Sequence, residues 1–152
     1  MSASTISNNI NCSIILDRTN QDLGPCLKCR IIINGKTIDT LEIKEQKVLS
    51  YKIDIKNTDN YLEIEHYDRH NTNTETDNKD NIVRTSLLLI NDIKIDNVKF
   101  YATSIHSQNK FIPKYDESYL EWARKNEPSK NFPDEIDASP QIGMNGKFIL
   151  HF

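Results

Sequence analysis

Apolar and polar residues alternate along most of this chain with a period of two, the signature of β-strands buried on one face. Residues 12–16 form a first short segment. Residues 27–33 form a second, closed by Asn34-Gly35, a dipeptide that tolerates positive φ and marks a tight hairpin. Residues 36–43 return with Ile38, Leu41 and Ile43 available for burial. Residues 48–55 follow, with Tyr51, Ile53 and Ile55 alternating against Lys52 and Asp54. Residues 61–66 place Leu62, Ile64 and His66 on one face and Glu63 and Glu65 on the other. Residues 68–81 contain no aliphatic side chain and read as a long polar loop. In the strongest strand pattern, Leu87, Leu89, Ile93 and Ile95 share one parity and Ser86, Leu88 and Ile90 the other, interrupted by Asn91. Asp96-Asn97 makes a turn into residues 98–101.

From residue 102 to 141 the alternation fades, and Pro113, Pro128, Pro133 and Pro140 each remove a ladder donor. One short helix is expected over residues 116–125, capped by Asp116 or Ser118, with Tyr119, Leu120 and Trp122 on or near one side. The turn at 144–147 then leads into Phe148, Leu150 and Phe152. A sequence that closes on such a strand needs it for the core, so loss of Phe152 is expected to harm folding. Many short strands, hairpin signals and one minor helix predict an all-β fold: a single antiparallel sandwich or jelly roll over residues 11–152. A flexible arm is expected over residues 1–10, with 102–141 as a long proline- and aromatic-bearing excursion.

The 152 residues suffice for one core, and 37% hydrophobic with 27% charged residues is globular but polar. A net charge of −3 excludes a broad cationic surface for nucleic acid or anionic lipid. No run approaches the roughly 20 apolar residues of a membrane span, and the start lacks the features of a secretory signal. The bias toward Asn, Ile, Lys and Asp fits an AT-rich genome such as that of a phage, virus or low-GC bacterium.

The chemistry offered is sparse. The four glycines are dispersed in turns, and no nucleophile, kinase or zinc-protease signature appears. Cys26 and Cys29 have C-x-x-C spacing but open a β-branched run, and with Cys12 they read as reduced strand cysteines. His66, His70, His106 and His151 are scattered and read as solvated. The acids of the polar loop are hard oxygen donors of the kind calcium takes, with Asp77 and Asp80 as the candidate ligands, although Arg69 and Lys79 stand among them. Tyr67, Tyr115, Tyr119 and Trp122 are candidate contacts for a partner or a glycan, since exposed rings stack on sugar faces and anchor interfaces. The competing assignment is that such rings cover the open end of the core.

The order Asn34-Gly35, Tyr51-Lys52-Ile53, Leu62-Glu63-Ile64-Glu65, a polar loop, Leu87-Leu88-Leu89-Ile90 and Ile93-Lys94-Ile95-Asp96 resembles the β-sandwich of calcium-dependent, xylan-binding carbohydrate-binding modules. Asn97 stands where that family carries glycine, and Arg84-Thr85-Ser86 replaces the spacing of its calcium-binding acids. A second likeness is to small structural proteins of tailed phages. It is carried by His66-Tyr67 before Asn71-Thr72-Asn73-Thr74, by Ile93 to Asp96, by the segment around Trp122 and Pro128, and by Gly143-Met144-Asn145-Gly146-Lys147-Phe148. That likeness implies a non-enzymatic virion subunit (decoration, fibre-base or tail-associated) that works in an oligomeric assembly through contacts with other virion proteins. The first implies a glycan-binding module, calcium-assisted, as the alternative.

Overall fold

The computed structural model describes residues 9–102 and 109–152. The strands in chain order are β1 (Asn9–Arg18), β2 (Leu27–Ile33), β3 (Lys36–Ile43), β4 (Lys47–Asp54), β5 (Tyr61–Tyr67), β6 (Thr74–Thr76) and β7 (Ile82–Thr85). They continue as β8 (Leu88–Ile95), β9 (Val98–Phe100), β10 (Lys110–Pro113), β11 (Ile136–Asp137), β12 (Gln141–Ile142) and β13 (Gly146–His151). One helix, α1 (Glu117–Asn126), lies between β10 and β11.

Two antiparallel sheets face each other. One runs β12-β8-β1-β4, with β9 also pairing β8; the other runs β11-β10-β13-β5-β2-β3. Their inner faces meet in one core that includes Ile14, Leu16, Leu27, Ile31, Leu62, Ile64, Leu88, Ile93, Phe148 and Leu150. The chain is therefore an all-β sandwich with one short helix in its C-terminal excursion. The predicted hairpin at Asn34-Gly35 and the predicted turn at Asp96-Asn97 form as their residues dictate. Asn34 (φ 48°) and Gly35 (φ 83°) link β2 to β3, and Asp96 (φ 51°) and Asn97 (φ 65°) link β8 to β9. Asn97 thus adopts the left-handed conformation without glycine, as asparagine tolerates.

The parity conflict in the 86–95 segment resolves through a bulge. Leu16 of β1 pairs with Ile90, whereas Ile15 pairs with Asp92, so β8 carries one extra residue at this step. Leu88 and Ile90 then point inward, and so do Ile93 and Ile95. Leu87 and Leu89, whose parity matched Ile93, are only half-buried.

Other boundaries move as well. β1 is ten residues long, and its first two, Asn9 and Ile10, pair with Asp54 and Ile53, so the expected arm is already strand at residues 9–10. Residues 1–8 lie outside the described residues. The polar segment 68–81 contains a single 3-10 turn at Asn71–Asn73 and half of a small hairpin, β6 with β7, that pairs with neither main sheet. The 102–141 excursion contributes β10, whose Phe111 is buried, and the short β11 and β12 that extend the two sheets.

β13 is an interior strand, flanked by β10 and β5. Gly146 begins it because nothing larger fits: a Cβ there would lie 2.5 Å from the Ile112 carbonyl oxygen and 2.5 Å from the Phe111 ring. Beyond the strand, Phe152 exchanges backbone hydrogen bonds with Asn60, and its ring meets Phe100 edge-on at 6.4 Å. Phe152→Ala keeps those backbone bonds and loses the ring contact. The expected cost is about 1–2 kcal/mol, read by denaturant unfolding.

Candidate functional site

The side chains singled out for binding gather on the outer face of the β13-β5-β2 region and on the segment that leaves β10. Residues Lys114 to Asp116 form a ridge with a groove on either side. The ridge is tied down locally: the Lys114 amide donates to the Asn145 carbonyl oxygen at 2.9 Å, and Asn145 Oδ1 accepts from the Arg69 amide at 2.9 Å. Asp116 caps α1, accepting from the amides of Ser118 (2.8 Å) and Tyr119 (3.3 Å) and from the Ser118 hydroxyl. Those donors hold its carboxyl below the usual range.

The first groove, of about 750 Å³, has Tyr67 and Tyr115 in its wall. Most of its charges are paired, Lys114 and Asp116 of the ridge excepted. Glu65 accepts from Arg30 at 2.7 Å, Glu63 lies 3.4 Å from Lys147, and Asp68 lies 2.8 Å from Lys28 beside it. The Arg30 guanidinium also sits 3.7 Å from the centre of the Tyr67 ring, covering one of its faces.

The second groove, of about 980 Å³, runs along α1 and is lined by Tyr115, Tyr119, Trp122, Phe132 and Arg69. Tyr119 and Trp122 are three apart on the helix, and that spacing stacks their rings at 6.1 Å and 18°. Phe132 braces the stack edge-on, 5.9 Å from Tyr119 and 5.2 Å from Tyr115. The phenols are engaged too: Tyr115 donates to the Pro133 carbonyl oxygen at 2.8 Å, and Lys130 Nζ lies 2.7 Å from Tyr119 Oη. The outermost ring, Trp122, remains 51% exposed. Rings fixed from behind and open in front make a rigid apolar platform, the arrangement that stacks on a sugar face.

Of the four candidate contact residues, Tyr115 belongs to both grooves, Tyr119 and Trp122 to the second, and Tyr67 to the first. Arg69, Lys114, Phe132 and Asn145 join them without having been singled out from the sequence. A signal existed for Phe132, an aromatic between prolines at 128 and 133. None existed for Lys114 or Asn145, which owe their place to the ridge.

Asp77 and Asp80 line neither groove. They occupy the loop between β6 and β7, where Asp77 Oδ1 accepts from the amides of Lys79 (2.8 Å) and Asn81 (2.9 Å). Its Oδ2 accepts from the Asn81 side chain at 3.2 Å, and these donors lower its pKa. Asp80 takes the left-handed turn position, φ 62°. Among the described residues no three His, Cys, Asp or Glu side chains are grouped so as to hold a metal ion. These two acids build a turn and do not by themselves form a calcium cage.

Two expectations about reactive side chains have different outcomes. All three cysteines are free, and burial pushes the thiols of Cys12 and Cys29 up to about 11 and about 12, where they stay protonated at neutral pH. His66, read as solvated, is instead buried on the inner face of β5 after Leu62 and Ile64, with its Nδ1 3.0 Å from the Lys28 carbonyl oxygen. The alternation that placed it with those two leucine and isoleucine side chains already implied burial.

No protein-family model matches this chain, and no curated protein matches it in sequence. Two solved structures share its fold. One is vCBM60 in complex with galactobiose: 7% identity, TM-score 0.50, covering 91% of this chain and 95% of that one. The other is a selenomethionine form of vCBM60, reported with a circular permutation linking two families of calcium-dependent carbohydrate-binding modules. It is 8% identical, with a TM-score of 0.50, covering 92% of this chain and 88% of that one.

Proposed function

We propose that this chain is a non-catalytic glycan-binding module whose platform is the Tyr119–Trp122 stack beside the Lys114–Asp116 ridge. The observation that carries the reading is the braced aromatic pair at the edge of an open groove, with Trp122 half-exposed. The sandwich shared with a module solved bound to galactobiose supports it. In the second groove the Ser118 hydroxyl meets the Asp116 carboxylate, but that carboxylate is committed to the amides of the first turn of α1, which favours binding over chemistry.

Calorimetric titration with a panel of oligosaccharides tests this. A ligand at a hundred times its dissociation constant adds about 2.7 kcal/mol of stability, so a thermal shift accompanies the heat. Trp122→Ala is expected to weaken binding about tenfold or more while leaving the melting temperature of the free protein nearly unchanged. Absence of binding across the panel, with and without calcium, counts against the proposal. So does a Trp122→Ala variant that binds like the parent. The calcium arm bears separately on the calcium-assisted form of the reading.

A second reading, a virion subunit acting through protein contacts, is favoured by a different feature. The small hairpin exposes two adjacent apolar side chains, Ile82 at 67% and Val83 at 56%. Recovery of the chain in purified particles by mass spectrometry supports this reading; a strictly monomeric protein that never enters particles removes it.

A further inference from the structure

We propose that the groove along α1 takes an acidic saccharide, one whose rings bear carboxylate or sulfate, with Arg69 and Lys114 recognising the anion. This inference rests on the glycan reading and names the ligand class. The permanent charges in the groove wall are Arg69, Lys114, Lys130 and Asp116. Asp116 is already committed to the first turn of α1. Lys130 is matched by Glu127 at 3.3 Å. Arg69 and Lys114 remain, and neither makes an ion pair among the described residues. Every aspartate and glutamate of the chain is among those residues, so no acid elsewhere in this sequence neutralises them.

Arg69 is the stronger half of the argument. Its side chain is half-buried, and its charge is surrounded by neutral oxygens. Nη1 donates to the Ser86 carbonyl oxygen at 2.6 Å, and Nη2 to the hydroxyls of Thr85 (2.7 Å) and Thr74 (3.4 Å). Of five guanidinium N–H groups these use three, leaving Nε–H and one Nη1–H without an acceptor among the described residues. Removal from water and the nearby Arg18 both disfavour its charge. A cation so placed gains more from an incoming anion than a solvated one does. Guanidinium is also the group whose donor geometry suits carboxylate and sulfate oxygens.

The contrast with the neighbouring groove is internal evidence. There Arg30, Lys28 and Lys147 each have a carboxylate within 3.4 Å, and Lys114, shared by both grooves, is the one lining cation without an ion pair among the described residues, so Arg69 is what distinguishes the groove along α1. In a chain of net charge −3, two unmatched cations flanking an aromatic platform are a local reversal of sign. Stacking supplies affinity for the ring and the cations select its substituent.

The test is calorimetry at low ionic strength with three ligands of equal length: a neutral galacto-oligosaccharide, an oligogalacturonate and a sulfated galacto-oligosaccharide. Parent protein and Lys114→Glu are compared, Lys114 being an exposed side chain whose replacement spares the core. At least one acidic ligand is expected to bind about tenfold tighter than the neutral one. The advantage should shrink as salt rises above roughly 0.1 M, where the screening length is about 10 Å. Which acidic arm wins distinguishes carboxylate from sulfate. Lys114→Glu is expected to remove most of the advantage, read as the ratio of acidic to neutral affinity in the same variant. Neutral and acidic ligands binding equally overturn this inference only, as does a Lys114→Glu variant with an unaltered ratio. No saccharide binding at all overturns both it and the glycan reading.

Discussion

Replacing Arg18 by methionine is expected to destabilise the protein by about 3 kcal/mol, enough to lower its melting temperature by roughly 10 °C at this size. Arg18 ends β1 on the inner face, in line with Cys12, Ile14 and Leu16, and is only 3% exposed. It faces no carboxylate. Its Nε donates to Ser86 Oγ at 2.9 Å, Nη1 to the Pro25 carbonyl oxygen at 3.2 Å, and Nη2 to the Leu23 carbonyl oxygen at 2.9 Å. The guanidinium therefore ties the 20–25 connection to the start of β8, as a structural cation would, through neutral oxygens alone. The Ser86 hydroxyl in turn donates to the Thr19 carbonyl oxygen at 2.7 Å, so the network returns to the residue that follows β1.

Methionine fills most of the volume but donates nothing, and the Ser86 hydroxyl loses its buried donor. Asn73 Nδ2 limits the damage, because it also donates to the carbonyl oxygens of Leu23 (3.0 Å) and Pro25 (2.9 Å). Relief of the repulsion with Arg69 offsets a further part. Those two compensations hold the estimate near 3 kcal/mol, below the sum of three charged hydrogen bonds at about 1.5–3 kcal/mol each. Equilibrium unfolding in urea measures it, and a loss under 1 kcal/mol would show that the network is dispensable.

Acid is expected to weaken the fold by a comparable amount through His66. Lys28 O, 3.0 Å from Nδ1, is only an acceptor, so Nδ1 carries the proton and Nε2 presents a bare lone pair. Nε2 is buried and has no hydrogen-bond partner among the described residues. Protonating it places a charge where no water reaches, next to the positive field of Arg69. Burial first, and Arg69 after it, lower the pKa to about 4, against the Lys28 carbonyl, which raises it.

The sign follows from linkage. The unfolded histidine, near 6.5, binds its proton before the folded one does, so protons favour unfolding between those values. Stability is complete above about pH 6.5 and falls as the pH drops toward 4, where about 3 kcal/mol is gone. Urea unfolding at pH 7.5, 5.5 and 4.2 traces the decline. His66→Leu is expected to flatten it over this window, whatever its own effect at neutral pH. An unchanged slope in that variant would assign the acid sensitivity to other groups.

Arg18 and His66 also show how the sequence misleads. Each continues an apolar alternation by one more inward step, Cys12-Ile14-Leu16-Arg18 and Leu62-Ile64-His66, so its burial was written in the period. Reading charge and polarity as marks of the surface hides it, because some of the partners that make burial tolerable lie far along the chain: Ser86 is 68 residues from Arg18, and Lys28 is 38 from His66. The bulge at Asn91–Asp92 is a similar case. Two runs of opposite parity look like a strand buried on both faces, and only pairing with β1 shows that the chain steps once and keeps one face inward.

At the site, the Tyr119–Trp122 stack follows from helical spacing and an Asp116 cap, both visible in sequence. The bracing by Phe132 and the approach of Arg69 depend on how the excursion folds back over β13 and β5.

Period-two alternation, left-handed turn dipeptides and a helix cap are local demands of backbone geometry, and from them the sequence alone determined the sandwich, its hairpins and its one helix. Which cations find counter-charges, which rings brace one another and which side of the ridge stays open were decided by the tertiary structure. Those outcomes depend on distances between residues remote in the chain, and burial, charge and hydrogen bonding act through space.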